Sequence, residues 1–435
     1  MSDFIAKHFS YPRPLDIIGA MRSVLIGPSY SISPHGFGDH EIFNGLLENK
    51  SPLDDVNSVL DGALKNQVAG RIPWDRFETF PIQNTCVKNG PVEARFAYLT
   101  ASKVLEYEGL AAYMEGPDST LYVGTMNNLY GLVGLRNGYR ICANENLAYD
   151  KKTFERQIGT GYSYVHPMVP VYKIPNNVIA NVALDYKIHG ENANFFGEDS
   201  GAVALQEGYL KIRNELTKCA LIINSNHLFI NYLTFMFLEI HNFARRSQDG
   251  INPESSSFYF PSEWASSFLL IDEQEASKQS IEPQARILAS RQISYVEPYF
   301  SRVLPESTLD RIVNKVLADG GLKWSDLDLI VTDNLAYPRT SLKFFERLNQ
   351  HSKRDIPILC PTLLTGHSIC SSASSHLSIA LEILRNQRVF SSYLKGQVPD
   401  SPILTSGVHN LRVGRVGILT QGLNNSIQFM IIEKI

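Results

Sequence analysis

Gly197, Glu198, Asp199 and Ser200 place a glycine, two carboxylates and a hydroxyl in succession, inside the stretch NANFFGEDSGAVALQEGYLKI at residues 192–212. Upstream of Gly197 the pattern is strand-like; downstream, Ala202, Leu205, Tyr209, Ile212 and Leu216 recur at helical spacing. A strand that breaks at glycine and turns into a helix is a geometry enzymes use to present a nucleophile. The groups offered here are carboxylates, suited to proton transfer and comfortable at the positive end of a helix, and one hydroxyl.

The elements that must hold this turn form two series. In the first, RSVLIGP (22–28) reads as a buried strand, EIFNGLLEN (41–49) as a helix, and EARFAYLTASKVLEYEG (93–109) as a helix with a glycine stop. STLYVGT (119–125) is a strand, and VIANVALDYKI (178–188) carries Val178, Val182, Ala183 and Tyr186 on one helical face. CALIIN (219–224) is a further apolar strand, so the series is a run of β-α-β units. The Ser-, Pro- and Gly-rich stretch GINPESSSFYFPSE (250–263) marks the boundary, giving halves of 1–255 and 256–435. The second series has a helix at 308–320, strands at 326–333 and 357–362, a helix at 374–387, and VGRVGILTQG with SIQFMIIEKI as closing paired strands. Apolar strands throughout imply sheets covered on both faces.

With 435 residues, 44% hydrophobic, 19% charged and a net charge of −4, the chain can bury a sizeable core and lacks the basic footprint of a nucleic-acid binder. Five scattered cysteines (Cys86, Cys142, Cys219, Cys360, Cys370) with no CxxC pair and no zinc spacing point to reduced, cytoplasmic thiols, without disulfides, metal or cofactor. The opening MSDFIAKHFSYPRPLD has no apolar core and does not read as a signal peptide. LFINYLTFMFLEI (228–240), broken by Asn231 and Glu239, is too short to span a bilayer and reads as buried or interfacial structure.

Four stretches, in order, resemble the β-ketoacyl synthase branch of the thiolase-fold proteins. They are VLIGPSYSISPHGFGDHEIFNGLLENKSPL (24–53), IPNNVIANVALDYKIHGENANFFGEDSGAVALQEG (174–208), LLTGHSICSSASSHLSIALEIL (363–384) and QGLNNSIQFMI (421–431). The third is similar to the family's K-x-x-x-G-H-x-x-G-A-x-G, the second to its nucleophile elbow T-A-C-x-S-x-x-x-A-L. The resemblance implies an α/β fold, a thiolase-like layered αβαβα arrangement of two similar halves. It also implies that the site is degraded. Counting back from Ala204 and Leu205, Glu198 stands at the catalytic Cys position. Asp333 stands at the first His of the H-G-T-x-T loop, Thr362 at the Lys, and only His367 is retained; the Gly-Phe-Gly-Gly gate reads Thr420-Gln421-Gly422-Leu423. Decarboxylative condensation needs a thiolate to take the acyl group and donors for the enolate. A carboxylate is a poor nucleophile toward a thioester, Asp333 puts negative charge where negative charge must develop, and Thr362 removes a cation.

The pattern resembles the chain-length factor of type II polyketide systems, a silent partner that forms a heterodimer with an active ketosynthase and shares its acyl tunnel. That resemblance implies an acyl carrier protein as second partner, and places Met126, Leu129, Tyr130 and Leu132, in MNNLYGLVG (126–134), where tunnel depth is set. The alternative for these four is ordinary core. Three other readings stay open. Glu198 with His367 could decarboxylate malonyl-carrier to supply starter units, as relatives with Gln for Cys do. Ser200, Asp333 and His367 occur in the hydrolase order Ser, Asp, His, although the elbow G-x-S-x-G is not met: the residues two away from Ser200 are Glu198 and Ala202. The chain could instead be a structural or carrier-docking subunit with no chain-length role, with Lys211, Arg213, Lys218, Arg245 and Arg246 meeting an acidic carrier, although charges on solvated helix faces are commonplace.

Overall fold

The structure, a computed structural model, describes residues 22–50, 53–55, 68–88, 90–126, 176–227, 246–247, 250–251, 261–295, 304–333, 340–392, 405–422 and 425–435. The first set of elements is β1 (Val24–Ser33), α1 (Asp39–Leu47), α2 (Val92–Leu105), β2 (Ser119–Thr125), α3 (Asn177–Asp185), β3 (Glu191–Phe196), α4 (Ser200–Arg213), β4 (Cys219–Asn226) and β5 (Trp264–Asp272). The second is β6 (Ala285–Ser294), α5 (Glu306–Asp319), β7 (Leu329–Thr332), α6 (Thr340–Ser352), β8 (Ile358–Leu359), α7 (Thr362–Thr365), α8 (Ser372–Asn386), β9 (Arg415–Gly422) and β10 (Ser426–Lys434).

The strands join in the order β8-β7-β9-β10-β6-β1-β5-β4-β2-β3. Read outward from the centre, β1-β5-β4-β2-β3 becomes β6-β10-β9-β7-β8 when five is added to each label. Direction repeats as well. In each half the two inner pairings are antiparallel and the two outer ones parallel. The fold is therefore two copies of one topology, joined where Val24, Leu25 and Ile26 pair with Ile287, Arg286 and Ala285. The strand Trp264–Asp272 pairs with β1 and β4, within the first copy. By strand order the chain passes between halves after Asp272 and before Ala285, downstream of the 255/256 division that composition suggests.

Layering follows from which faces are apolar. Helices α2 and α3 cover one side of the first half and α5 the outer side of the second, while α4 and α8 lie between the halves and touch each other. Three buried clusters match this: one under α2 and α3, one under α5 and α6, and a central one holding Leu205, Tyr209, Phe268, Leu377 and Ile418. A helix buried on all sides cannot keep a charged face. In α8 every residue from Ser372 to Leu384 is buried, and its polar positions are mostly short hydroxyls. Ser374, Ser375 and Ser378 satisfy themselves by donating to carbonyls one turn back. Strands β2, β4 and β5 are wholly buried, whereas β3, at the sheet edge, is half exposed. No helix among the described residues is long and apolar enough to cross a membrane, and the apolar run 228–240 lies outside them.

Candidate functional site

The turn between β3 and α4 is built as its sequence requires. Gly197 has φ +115°, a conformation open to glycine, and its N–H donates to the Thr125 carbonyl at 3.2 Å. The Ser200 hydroxyl donates to the same carbonyl at 3.1 Å. Gly201 lets α4 approach the opposite half: a Cβ there would lie 2.2 Å from the Cys370 carbonyl oxygen. Glu198 is thereby presented at the helix start, half-buried. Burial, with a smaller contribution from neighbouring Asp199, pushes its carboxyl above the ordinary carboxylate range, against the pull of its own backbone N–H. Asp199 is turned away to accept from Gln292 Nε2 at 2.9 Å.

Glu198 opens on a narrow cleft between the two halves, lined also by Ala202, Cys370, Ala373, Gln421 and Gln428. Behind it Asp333 and His367 meet, with Oδ2 and Nε2 3.5 Å apart and both side chains almost fully buried. Gln421 connects the two places, since its N–H donates to Asp333 Oδ1 at 3.0 Å. The His367 ring is oriented by its other nitrogen: Nδ1 accepts the Ile369 N–H at 3.0 Å. In the neutral ring this bond assigns the proton to Nε2, the atom facing Asp333 and, at 3.4 Å, the Ser372 hydroxyl. The His367 ring is thus a donor, and the Asp333 carboxyl stands in front of it. Thr362 is buried at the start of the short helix α7, with its hydroxyl 3.2 Å from Cys360 Sγ.

The remaining expectations divide. Ser200 and His367 do not assemble as nucleophile and base: the hydroxyl is bound to Thr125, and the ring nitrogen that could accept its proton already accepts from Ile369. Met126 follows β2 and donates its N–H to Glu93; Leu129, Tyr130 and Leu132 lie outside the described residues. Of the carrier-docking cations, Lys211 pairs with Glu191 at 2.8 Å, Lys218 with Asp118 at 2.5 Å, and Arg213 donates to the Tyr209 hydroxyl at 2.5 Å. Arg245 lies outside the described residues, as does the side chain of Arg246.

Two residues of the site escape sequence reading. His376, fully buried in α8, lies with Nδ1 3.3 Å from the Thr420 hydroxyl. Burial pushes its imidazole down to about 4; the Asp333 charge pulls upward and His367 adds to the fall. Cys370 brings a thiol to the cleft wall from the opposite half. Burial, then the nearby Glu93 carboxyl, push that thiol well up, and its Sγ lies 3.4 Å from the Ser225 carbonyl oxygen. Neither residue carries a signal in one sequence: His376 reads as one helical position and Cys370 as one scattered cysteine.

No protein-family model matches the sequence, and no curated protein matches it. Solved structures do. The ishigamide ketosynthase/chain length factor superposes with a TM-score of 0.76 at 13% identity, covering 96% of this chain and 100% of that one. A type II polyketide synthase ketosynthase bound to the hexaketide, in complex with its acyl-carrier protein, gives a TM-score of 0.73 at 14% identity over 95% of this chain and 100% of the other. A β-ketoacyl synthase from Burkholderia phymatum STM815 gives 0.75 at 12% identity over 95% and 100%. At these identities the likeness is one of architecture, and it agrees with the repeated topology: this chain has the thiolase-like fold of the ketosynthases.

Proposed function

We propose that this chain is a ketosynthase-like chain-length factor: a subunit without a condensing nucleophile that pairs with an active ketosynthase and helps define the tunnel in which a carrier-bound acyl chain grows. One observation carries the reading. The turn before α4 presents the carboxyl of Glu198, which the resemblance aligns with the nucleophile, to the cleft, while the Nε2 proton of His367 is directed at Asp333. Losing a nucleophile costs on the order of 10⁶ in rate and losing one anion-stabilising donor about 10²–10³. These losses do not simply multiply, and the first alone silences the reaction.

Pairing has a physical basis in β3. Among the described residues it ends the sheet order, bonded to β2, and Phe196 at its end is 40% exposed. An open strand edge with an exposed aromatic is costly to leave in water and suited to a partner of the same fold. The solved ketosynthase/chain length factor and the ketosynthase with its acyl-carrier protein supply the partner classes, a catalytic ketosynthase and an acyl carrier protein. Tunnel depth is assigned to Met126, Leu129, Tyr130 and Leu132. The test is co-expression with a catalytic ketosynthase of the same genome and purification through a tag on this chain. A stoichiometric pair that elongates malonyl-carrier, with neither subunit active alone, supports the reading. Malonyl-carrier decarboxylation by the isolated chain replaces it with the starter-unit reading, in which Glu198 and His367 act.

A further inference from the structure

Glu93 is a buried carboxyl that the degraded site leaves unexplained. It sits in the first turn of α2, only 3% exposed, and its Oε1 accepts the Met126 N–H at 3.1 Å. Its own carbonyl accepts the Ser225 hydroxyl at 2.8 Å, which fastens that turn to β4. The peptide between Thr125 and Met126 is where the chain leaves β2, and it is gripped from both sides. Gly197 N–H and the Ser200 hydroxyl, both of the elbow, hold the Thr125 carbonyl at 3.2 and 3.1 Å; Glu93 holds the Met126 amide. The exit of the chain at Met126 is therefore fixed against the elbow and the first turn of α2.

We propose that Glu93 is a positioning residue for chain-length selection, holding the Met126 end of the depth-setting segment at a fixed distance from the elbow. The inference rests on the chain-length-factor reading for its functional consequence, while the clamp itself is a property of this chain alone. Desolvation drives the Glu93 carboxyl well above the ordinary carboxylate range, with the Met126 N–H opposing. A neutral amide of the same shape serves equally. Glu93→Gln is therefore the conservative variant, and Glu93→Met, similar in volume but without an acceptor, is the disruptive one.

Two readouts separate the clamp from the reading it deepens. In the isolated chain, amide hydrogen exchange at Met126 is expected to speed up about tenfold in Glu93→Met, the loss of one hydrogen bond, and to stay unchanged in Glu93→Gln. In the pair, Glu93→Met is expected to bind the ketosynthase normally but to yield products displaced by one or more two-carbon units, with Glu93→Gln restoring the wild-type length. Should Glu93→Met fail to fold or pair, Ser200→Ala loosens the same peptide from its other side and is expected to shift product length likewise. Unchanged exchange, or unchanged product length from a disruptive variant that still pairs, overturns the proposal. A wild-type chain that neither pairs nor supports elongation instead removes the chain-length-factor reading and leaves the exchange result standing.

Discussion

At the scale of single residues, the proposed function reads the site as a set of mutually consistent disablements. In that reading Glu198, Asp333 and Thr362 each oppose condensation by a different route, so restoring one leaves the other two in force. Glu198→Cys alone is expected to remain at background in a single-turnover acylation assay. Glu198→Cys with Asp333→His and Thr362→Lys is expected to exceed it by about 10² or more, the typical value of one anion-stabilising donor. Equal, substantial acylation by the single variant would show that Asp333 does not matter. His376 makes a separate prediction about stability. Its imidazole is held at about 4 in the folded chain against an ordinary 6.5, so the unfolded chain binds the proton first. The stability this represents is complete above pH 6.5 and is lost as pH falls from 6.5 toward 4. His376→Gln is expected to make urea-unfolding stability fall less between pH 7 and 4.5, by roughly 2 kcal/mol. An unchanged slope would mean that the buried ring takes its proton without cost.

Elements, more than residues, were legible in the sequence, and the reason is physical. Strands such as Ser119–Thr125 and helices such as Val92–Leu105 bury their faces within the layer they belong to, so periodicity reports them directly. The turn before α4 was legible because a glycine at φ +115° between a strand and a helix leaves a local mark. What was not legible depends on contacts between distant elements. His376 and Cys370 join the site only because α8 and the turn before it pack against α4 across the two halves. Three glutamines do comparable stitching: Gln206 with Ser290, Gln292 with Asp199, and Gln428 with the Ala202 carbonyl. Strand β5 follows a loop-like stretch of sequence yet pairs with β4 in the first half of the sheet. The edge strand β3 yields the element-scale prediction. Phe196→Lys is expected to leave the melting temperature of the isolated chain nearly unchanged, since the ring is 40% exposed, and to weaken pairing by about 2 kcal/mol, roughly thirtyfold in Kd. Pairing of undiminished affinity would place the interface elsewhere.

For the whole molecule, the repeated topology is compatible with the proposed function, in which a site loses its chemistry without losing its fold. Each half supplies one helix to the central layer, α4 carrying Glu198 at its start and α8 following the His367 loop, and their packing rests on apolar faces and close backbone approach. None of that packing requires a thiolate or a lysine. In the proposed function the scaffold serves as a shaped partner, with the nucleophile supplied by a second subunit. This division of labour is the central claim, and mass spectrometry of intact subunits tests it most directly. The co-purified pair is incubated with acyl- and malonyl-carrier, quenched during turnover, and each chain is weighed. The account predicts acyl mass on the ketosynthase subunit, none on this chain, and elongation only in the mixture. Acyl mass on this chain, or carbon dioxide released by it alone, would contradict the account.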